Sequence, residues 1–233
     1  MIEFGHGTHA GLRRKRNEDT YYADAGIGLF LVADGMGGHS HGELAAALAR
    51  DGIVEDVGAG ASLEHAIRRA DERIIGQRQD AAERLPMGTT IAALRMDGDT
   101  FDVAWVGDSR IYLWQDGLRR LSHDHSLVQE LVERGVVDEA QAREHPRRNV
   151  VTQALGVTAP DELRIEGVRG RLEPGMRFLL CSDGLTDAVD ETAMAAIVAR
   201  DDLAAQESVD HLLLAALDGG GHDNVTAILV RMR

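Results

Sequence analysis

The alternation of apolar and polar residues predicts a chain built largely from short strands. An apolar run at residues 27–33 ends at Asp34-Gly35, which indicates a buried strand stopped by a turn. Further strands are predicted at residues 89–96, 100–106, 110–114, 118–121, 164–168, 177–181 and 224–230. Asp97-Gly98-Asp99, Gly107-Asp108 and Asp116-Gly117 separate the first four of these, and such turns between apolar runs are typical of antiparallel hairpins.

Helical spacing of apolar residues predicts two pairs of helices. The first pair covers residues 43–57 and 62–78, with Leu44 and Leu48 on one face of the first helix and Ser62 placed to cap the second. The second pair covers residues 191–200 and 204–217. Strands, a helix pair, more strands and a second helix pair are the order of an α+β layered domain, in which helices cover mostly antiparallel sheets.

Residues 123–157 interrupt this order of elements. Short helical patterns at residues 126–134 and 138–145 adjoin the polar loop 145–149. No repeat or linker divides the chain, so we expect one domain over residues 1–233, with residues 123–157 forming a flap subdomain beside the sheets.

Composition narrows the class of protein. The chain has 25 Lys and Arg against 39 Asp and Glu, and its net charge of -14 disfavours nucleic acid or an anionic membrane as the main partner. No basic and then apolar leader opens the sequence, and no window approaches the roughly 18 apolar residues of a membrane span. The lone cysteine, Cys181, cannot form an internal disulfide. We therefore expect a cytoplasmic protein.

The distribution of lysine excludes two kinds of chemistry. Lys15 is the only lysine, so the sequence contains no G-K-[ST] phosphate loop. A Schiff-base lysine outside the basic cluster at residues 13–16 is excluded for the same reason.

Aspartates recur where an apolar strand meets a turn. Asp34 ends the run 27–33, Asp108 follows FDVAWVG, Asp183 follows RFLLCS, and Asp223 precedes NVTAILV. Carboxylates at strand ends can converge on one rim, and a hard divalent cation needs several such oxygens. Their mutual repulsion would be costly without a bound metal. A single Asp-Gly pair is better explained as a simple turn, but the whole set is not.

Six short motifs occur in order along the sequence. They are Gly11-Leu12-Arg13-Arg14 leading to Asn17-Glu18-Asp19, DGMGGH at 34–39 with Gly42-Glu43, MGTT at 87–90, GDSR at 107–110, CSDG at 181–184 and DNVT at 223–226. With them the chain resembles the metal-dependent PP2C (PPM) family of serine/threonine phosphatases in its compact bacterial form. The resemblance implies an αββα sandwich, two stacked antiparallel sheets covered by helix pairs, with a metal centre at one end.

The resemblance also implies roles for individual residues. Carried over by position, the expected ligands of two or three Mn2+ or Mg2+ ions are Glu18, Asp19, Asp34, Gly35 through its carbonyl, Asp108, Asp183 and Asp223. Asp34 is expected to bridge two ions, and Asp108 with Asp183 to support a third, weaker one. Arg14 matches the arginine that grips the substrate phosphate, a bidentate task suited to guanidinium geometry.

The implied reaction is attack on phosphorus by a water that the metal ions activate, without a phosphoenzyme. Cys181 agrees, because it lacks the Cys-x5-Arg loop of cysteine phosphatases, and we interpret it as a buried strand residue. Met36 stands where eukaryotic members often carry a histidine general acid. His39 is the nearest candidate by position, and an equal alternative is a loop histidine without a catalytic role. We interpret the following as surface or flap residues without metal-ligand spacing: His41, His123, His125 and His145.

The expected partners follow from the implied activity. They are phosphorylated protein substrates and a cognate bacterial Ser/Thr kinase, without nucleic acid or membrane, and a monomer is the simplest state. Arg13 and Arg16 are expected to steer acidic substrates toward the site, and the flap to influence substrate choice. Two alternatives stay open: an inactive phosphoprotein-binding module on the same fold, and a related enzyme acting on a regulatory factor in a stress-response partner switch. Every matched metal position is intact, which favours an active enzyme.

Overall fold

The computed structural model of the chain describes residues 1–37, 41–80 and 87–233, with the backbone alone for 78–80. Its strands are β1 (Ile2–His9), β2 (Asp19–Asp24), β3 (Leu29–Gly37), β4 (Met87–Thr89), β5 (Ile91–Asp97), β6 (Thr100–Val106), β7 (Arg110–Trp114), β8 (Leu118–Arg120), β9 (Glu166–Arg171), β10 (Arg177–Cys181) and β11 (Val225–Met232). Its helices are α1 (His41–Gly58), α2 (Leu63–Asp80), α3 (Leu127–Glu133), α4 (Glu139–Glu144), α5 (Asp183–Thr186), α6 (Glu191–Val198) and α7 (Ala205–Asp218).

Two antiparallel sheets lie face to face between two layers of helices. One sheet has the strand order β1-β11-β10-β7-β8, and the other has β2-β3-β5-β6-β9 with β4 beside β3. One apolar core lies between the sheets, a second joins the β3 sheet to α1 and α2, and a third joins the β10 sheet to α5, α6 and α7. The expected αββα sandwich is confirmed.

Strand β3 shows why the central strands are continuous apolar runs. Leu29 and Leu31 pack toward α1 and α2, whereas Phe30 and Val32 pack into the core between the sheets. Because successive side chains point to opposite faces, a strand covered on both sides needs apolar residues at every position. The predicted stop at Asp34-Gly35 is wrong, since β3 continues to Gly37 by pairing with β4.

The predicted helix pairs are present, but only part of the expected face of α1 is buried. Leu48 packs against the core and Leu44 is 43% exposed, while small residues such as Ala45, Ala49 and Gly52 are buried. Small residues allow the helix axis to approach the sheet and α2 closely. The predicted cap of α2 is confirmed, because the Ser62 hydroxyl accepts from the His65 amide at 3.3 Å.

The turn at Gly107-Asp108 is not the predicted hairpin. Strand β6 belongs to one sheet and β7 to the other, so the chain crosses between the sheets at this point. The hairpins β5–β6 and β7–β8 are confirmed. An Asp-Gly or Gly-Asp pair gives the position of a turn but does not determine whether the next strand joins the same sheet.

Other elements differ from the predicted ones in their bounds. The single strand predicted at 89–96 is two strands, because Thr90 leaves the ladder and its amide donates to the Asp34 carbonyl at 2.9 Å. Strand β9 begins at Glu166 and ends at Arg171, later than predicted. Strands β1 and β2 and the short helix α5 were not predicted. None of the helices among the described residues is long and apolar enough to cross a bilayer.

Candidate metal centre

The strand registers bring the predicted carboxylates to one end of the sandwich. Asp19 at the start of β2 lies directly opposite Asp34 in β3. Asp183 follows β10 and Asp223 precedes β11, and these two strands are antiparallel neighbours, so the two residues lie at the same end. Asp108 lies where the chain crosses from one sheet to the other. The crossing therefore contributes a carboxylate from between the two sheets.

Asp19 is held by hydroxyl groups that sequence reasoning did not single out. Its Oδ2 accepts from the Ser182 hydroxyl at 2.8 Å and from the Thr226 hydroxyl at 2.6 Å. Its other oxygen, Oδ1, is buried without a hydrogen bond, and so is Oδ1 of Asp183. A buried carboxylate oxygen without a donor is costly. These two oxygens are therefore placed to accept a cation.

The protonation of these carboxylates reflects their crowding. Burial raises the pKa of Asp19 to about 6. Burial, followed by repulsion from Asp124, raises the pKa of Asp108 to about 7. The pKa values of Asp34 and Asp183 are raised well above the ordinary value, first by burial and then by neighbouring aspartates. The charged forms are disfavoured first because the groups are buried and then because the neighbouring aspartates repel one another.

Asp34 is fixed through its backbone. Its carbonyl accepts from the Thr90 amide at 2.9 Å and from the Thr89 hydroxyl at 2.9 Å, and its amide donates to the Thr90 hydroxyl at 3.1 Å. The next residue, Gly35, donates its amide to the Glu18 carbonyl at 3.1 Å. A Cβ on Gly35 would meet the Gly42 carbonyl oxygen at 2.2 Å, so glycine is required there.

The loop before β2 contributes the basic side of the site. Arg14 forms a bidentate ion pair with Asp223, at 2.9 and 2.7 Å. Asn224 fastens this loop, because its side-chain amide donates to the carbonyls of Ala10 and Arg16 at 3.0 and 2.8 Å. Its oxygen accepts from the Glu18 amide at 2.8 Å. Asn224 thus positions both the arginine and Glu18, whose own pKa is raised by burial.

The carboxylates and the basic loop face a common cavity of about 730 Å³. Asp34, Asp108, Asp183 and Asp223 line it together with the basic loop, Glu18, Gly35 and Asn149 of the flap. A second cavity of about 750 Å³ shares Asp108, Asn149 and Asp183 with the first and extends between the flap and α6. The site therefore opens toward the flap.

The donor set fits hard divalent cations. It consists of oxygen ligands only, includes two orphaned buried oxygens, and has carboxylates whose charge is uncompensated. Within residues 1–37, 41–80 and 87–233 no three acidic, histidine or cysteine side chains are already grouped as a complete set of metal ligands. Asp223 faces Arg14, and Asp19 faces its hydroxyl donors. Both of these carboxylates are thus held by protein partners.

A family model for protein phosphatase 2C matches residues 7–218. The chain belongs to the protein phosphatase 2C family. It is 36% identical over 238 residues to the serine/threonine protein phosphatase PstP of Mycobacterium tuberculosis (strain CDC 1551 / Oshkosh), covering 98% of this chain and 45% of that protein. It is 33% identical over 242 residues to the serine/threonine phosphatase stp of Listeria monocytogenes serotype 4b (strain F2365), covering 95% of both. The chain thus spans less than half the length of PstP and nearly all of stp.

Solved structures of the protein phosphatase 2C family agree with the fold. The catalytic domain of PstP, solved in complex with two manganese ions, superposes with a TM-score of 0.88 at 31% identity, covering 99% of this chain and 97% of that one. The predicted family is confirmed, and its named relatives are serine/threonine protein phosphatases.

One of the histidines predicted at the surface or in the flap is buried. His125 lies at the first end of the flap, but it is only 6% exposed and bonds to Gly107. His39, the candidate general acid, lies outside the described residues. Cys181 is buried as predicted, and burial raises its pKa to about 12, which keeps it a thiol. The supports Thr90, Ser182 and Asn224 could have been noticed, because each adjoins a predicted aspartate or lies within one of the six motifs.

Proposed function

We propose that this chain is a metal-dependent phosphatase that hydrolyses phosphoserine and phosphothreonine in proteins. The observation that carries the proposal is the convergence of Asp34, Asp108, Asp183 and Asp223 on a cavity that Arg14 also lines. Unpartnered buried oxygens belong to Asp183 and to Asp19, which lies opposite Asp34 in the sheet. The proposed ligands of two or three Mn2+ or Mg2+ ions are Glu18, Asp19, Asp34, the carbonyl of Gly35, Asp108, Asp183 and Asp223. When bound, such ions lower the pKa of a water and offset charge that develops on the phosphoryl group.

Arg14 is the residue proposed to hold the substrate phosphate. Its guanidinium bonds to both oxygens of the Asp223 carboxylate, and a phosphate can offer it a similar pair of oxygens. A phosphate dianion in the cavity would compete for the same two N–H groups. The loop needs no rearrangement, because Asn224 holds it from both sides.

The proton donor is proposed from its position in the sequence. The leaving oxygen of serine or threonine needs a proton, and His39 stays the candidate for it. Asp108 is a group of the described site whose pKa, about 7, lies near neutrality in the metal-free protein. Bound cations would lower that pKa and remove its proton, so Asp108 is better suited to a ligand role.

The substrates and surroundings of the enzyme are inferred from the same chemistry. We infer phosphorylated targets of a cognate Ser/Thr kinase, a monomeric cytoplasmic enzyme and one domain over residues 1–233 with the flap at 123–157. The exposed basic side chains of Arg13, Lys15 and Arg16 at the site support phosphoprotein substrates, because the rest of the chain is strongly acidic.

The test is hydrolysis of a phosphothreonine peptide by the purified chain with Mn2+, Mg2+ or excess chelator. We expect hydrolysis that requires a divalent ion and falls at least about 10³-fold in Asp183→Asn, since a lost ligand removes the charge on which the chemistry depends. Asp116→Asn is the matched control, because Asp116-Gly117 is an exposed Asp-Gly pair in the β7–β8 turn. Full hydrolysis in chelator would refute the proposal. Phosphopeptide binding without hydrolysis would support the inactive-module alternative.

A further inference from the structure

Both ends of the flap are fastened to residues next to the site carboxylates: Gly107 precedes Asp108, and the Thr89 hydroxyl donates to the Asp34 carbonyl. At its first end, His125 donates its amide to the Gly107 carbonyl at 2.9 Å, and the Gly107 amide donates to Nδ1 of His125 at 3.1 Å. At its second end, the Thr152 amide donates to the His125 carbonyl at 2.8 Å, and Leu155 exchanges two backbone bonds with Thr89. His125 is therefore bonded to Gly107 of the site and to the returning end of the flap.

Gly107 cannot move without moving its neighbours. It is buried with a φ of +103°, and a Cβ added to it would meet Cγ2 of Thr90 at 2.6 Å. The Thr90 hydroxyl bonds to the Ser109 hydroxyl at 2.8 Å and accepts from the Asp34 amide at 3.1 Å. Asp108 lies between Gly107 and Ser109, so its direction is set by how these two residues are held.

The geometry determines the tautomer of His125. Because Nδ1 accepts a hydrogen bond from an amide, it carries a lone pair, and the proton of the neutral ring is on Nε2. Nε2 lies 3.3 Å from a carboxylate oxygen of Glu166 but is not aligned for a hydrogen bond. Burial lowers the pKa of His125, in keeping with a neutral ring. Of the contacts that the imidazole makes to Gly107 and to Glu166, the one to Gly107 has hydrogen-bond geometry.

We propose that His125 is a positioning residue, whose Nδ1 holds the Gly107 amide and thereby directs the Asp108 carboxylate into the metal centre. Through these hydrogen bonds the first end of the flap and the proposed position of the third ion cannot move independently. This inference rests on the proposed metal-dependent function, because it assigns to Asp108 a role as ligand.

The test uses two variants that differ in where they place an acceptor. His125→Asn keeps an oxygen close to the position of Nδ1, whereas His125→Gln carries its polar atoms farther out, near Nε2. Mn2+ binding is measured by the electron paramagnetic resonance signal of free Mn2+, each variant being made alone and together with Asp108→Asn. Unfolding in chelator is followed alongside, so that a folded protein is established for every variant.

We expect His125→Gln to weaken the weakest Mn2+ site by about tenfold, the size typical of losing a residue that orients a metal ligand. His125→Asn should remain within about threefold of the unchanged protein because it keeps the acceptor. In the Asp108→Asn background the Gln substitution should have no further effect. The inference is overturned if His125→Asn and His125→Gln bind Mn2+ equally well. It is also overturned if His125→Gln weakens Mn2+ binding just as much in the Asp108→Asn background. Neither result affects the phosphatase proposal. Absence of any Mn2+ binding by the unchanged protein overturns both.

Discussion

The carboxylate end of the sandwich and the flap are built in opposite ways, although they share one opening. Asp19 is buried at the start of β2 and Asp108 at the crossing between the sheets, and most residues of the adjoining strands β3 and β6 are buried as well. Helix α3 of the flap has no buried residue, and α4 has only Ala142. In the first region, buried surroundings hold carboxylates that repel one another. In the flap, helices α3 and α4 bury few side chains and so gain little stability from packing. Chemistry should therefore depend on the first region, and selection among substrates on the second.

The largest effect is expected from Asp34→Asn. It should lower metal-dependent hydrolysis by about 10³-fold or more, because the carboxylate proposed to bridge two ions is lost. It should at the same time raise the melting temperature of the metal-free protein by several degrees, since burial and four neighbouring aspartates oppose the charge of Asp34. Calorimetry in chelator and a phosphopeptide assay measure the two effects. A lower melting temperature would contradict the view that this region is strained without metal.

Arg14→Ala should lower kcat/KM for phosphopeptides by about 10²-fold, the cost typical of losing one contact to developing charge. Arg14→Lys should recover only part of the loss, because an ammonium group cannot make the bidentate contact. Steady-state kinetics at saturating Mn2+ provide the measurement. Equal rates for the Lys variant and the unchanged protein would show that Arg14 acts through charge alone.

The stability of the metal-free protein should fall as pH rises from about 4 to about 7. Asp19 and Asp108 keep their protons up to about pH 6 and about pH 7 in the folded chain, whereas the ordinary value is 3.8. The folded state then binds more protons than the unfolded chain in this window, so raising the pH favours unfolding. Melting temperatures in chelator at about pH 5 and about pH 7.5 measure the effect, and saturating Mn2+ should reverse it.

The contribution of Asp108 to this pH dependence can be tested with one variant. The lowered pKa of His125 acts in the opposite direction, because a buried neutral histidine favours folding as pH rises. Asp108→Asn should therefore flatten the decline seen in the unchanged protein. A decline of unchanged size in that variant would exclude Asp108 as its source.

The smallest effect is expected in the flap. Arg148 is half-exposed and lies 3.7 Å from Asp187, a surface pair of little energetic value. Arg148→Gln should leave the melting temperature and the hydrolysis of a small aryl phosphate unchanged, but raise KM for phosphopeptides about two- to fivefold through the lost charge. Exposed Arg119 on β8 supplies the control substitution Arg119→Gln. A similar loss on both substrates would place Arg148 in the chemistry rather than in substrate choice.

The sequence was sufficient for the parts of the site that local patterns specify. Aspartates next to apolar runs marked Asp34, Asp108 and Asp183, and the antiparallel registers then placed them together. What could not be predicted depends on distant pairing. The Ser182 and Thr226 hydroxyls that hold Asp19 lie 163 and 207 residues away from it in the chain.

The same distinction explains the errors in the fold. Strand β1 (IEFGHGTH) has a polar, largely half-exposed sequence, and its extended form follows from its pairing with β11 along its whole length. The crossing at Gly107-Asp108 looks like a hairpin because glycine and aspartate favour turns of either kind. The sequence predicted His125 as a surface or flap residue, and nothing in its local sequence indicates that it is buried with Gly107 as its partner.

The Arg14–Asp223 ion pair has a thermodynamic consequence. If Arg14 binds phosphate and Asp223 binds a cation, as we propose, a phosphate that draws Arg14 away would release Asp223 for a cation, and a cation that draws Asp223 away would release Arg14 for a phosphate. Binding of either ligand would then remove a cost of binding the other, and by linkage the two affinities would rise by the same factor. Anion and cation would enter the cavity more readily together than alone.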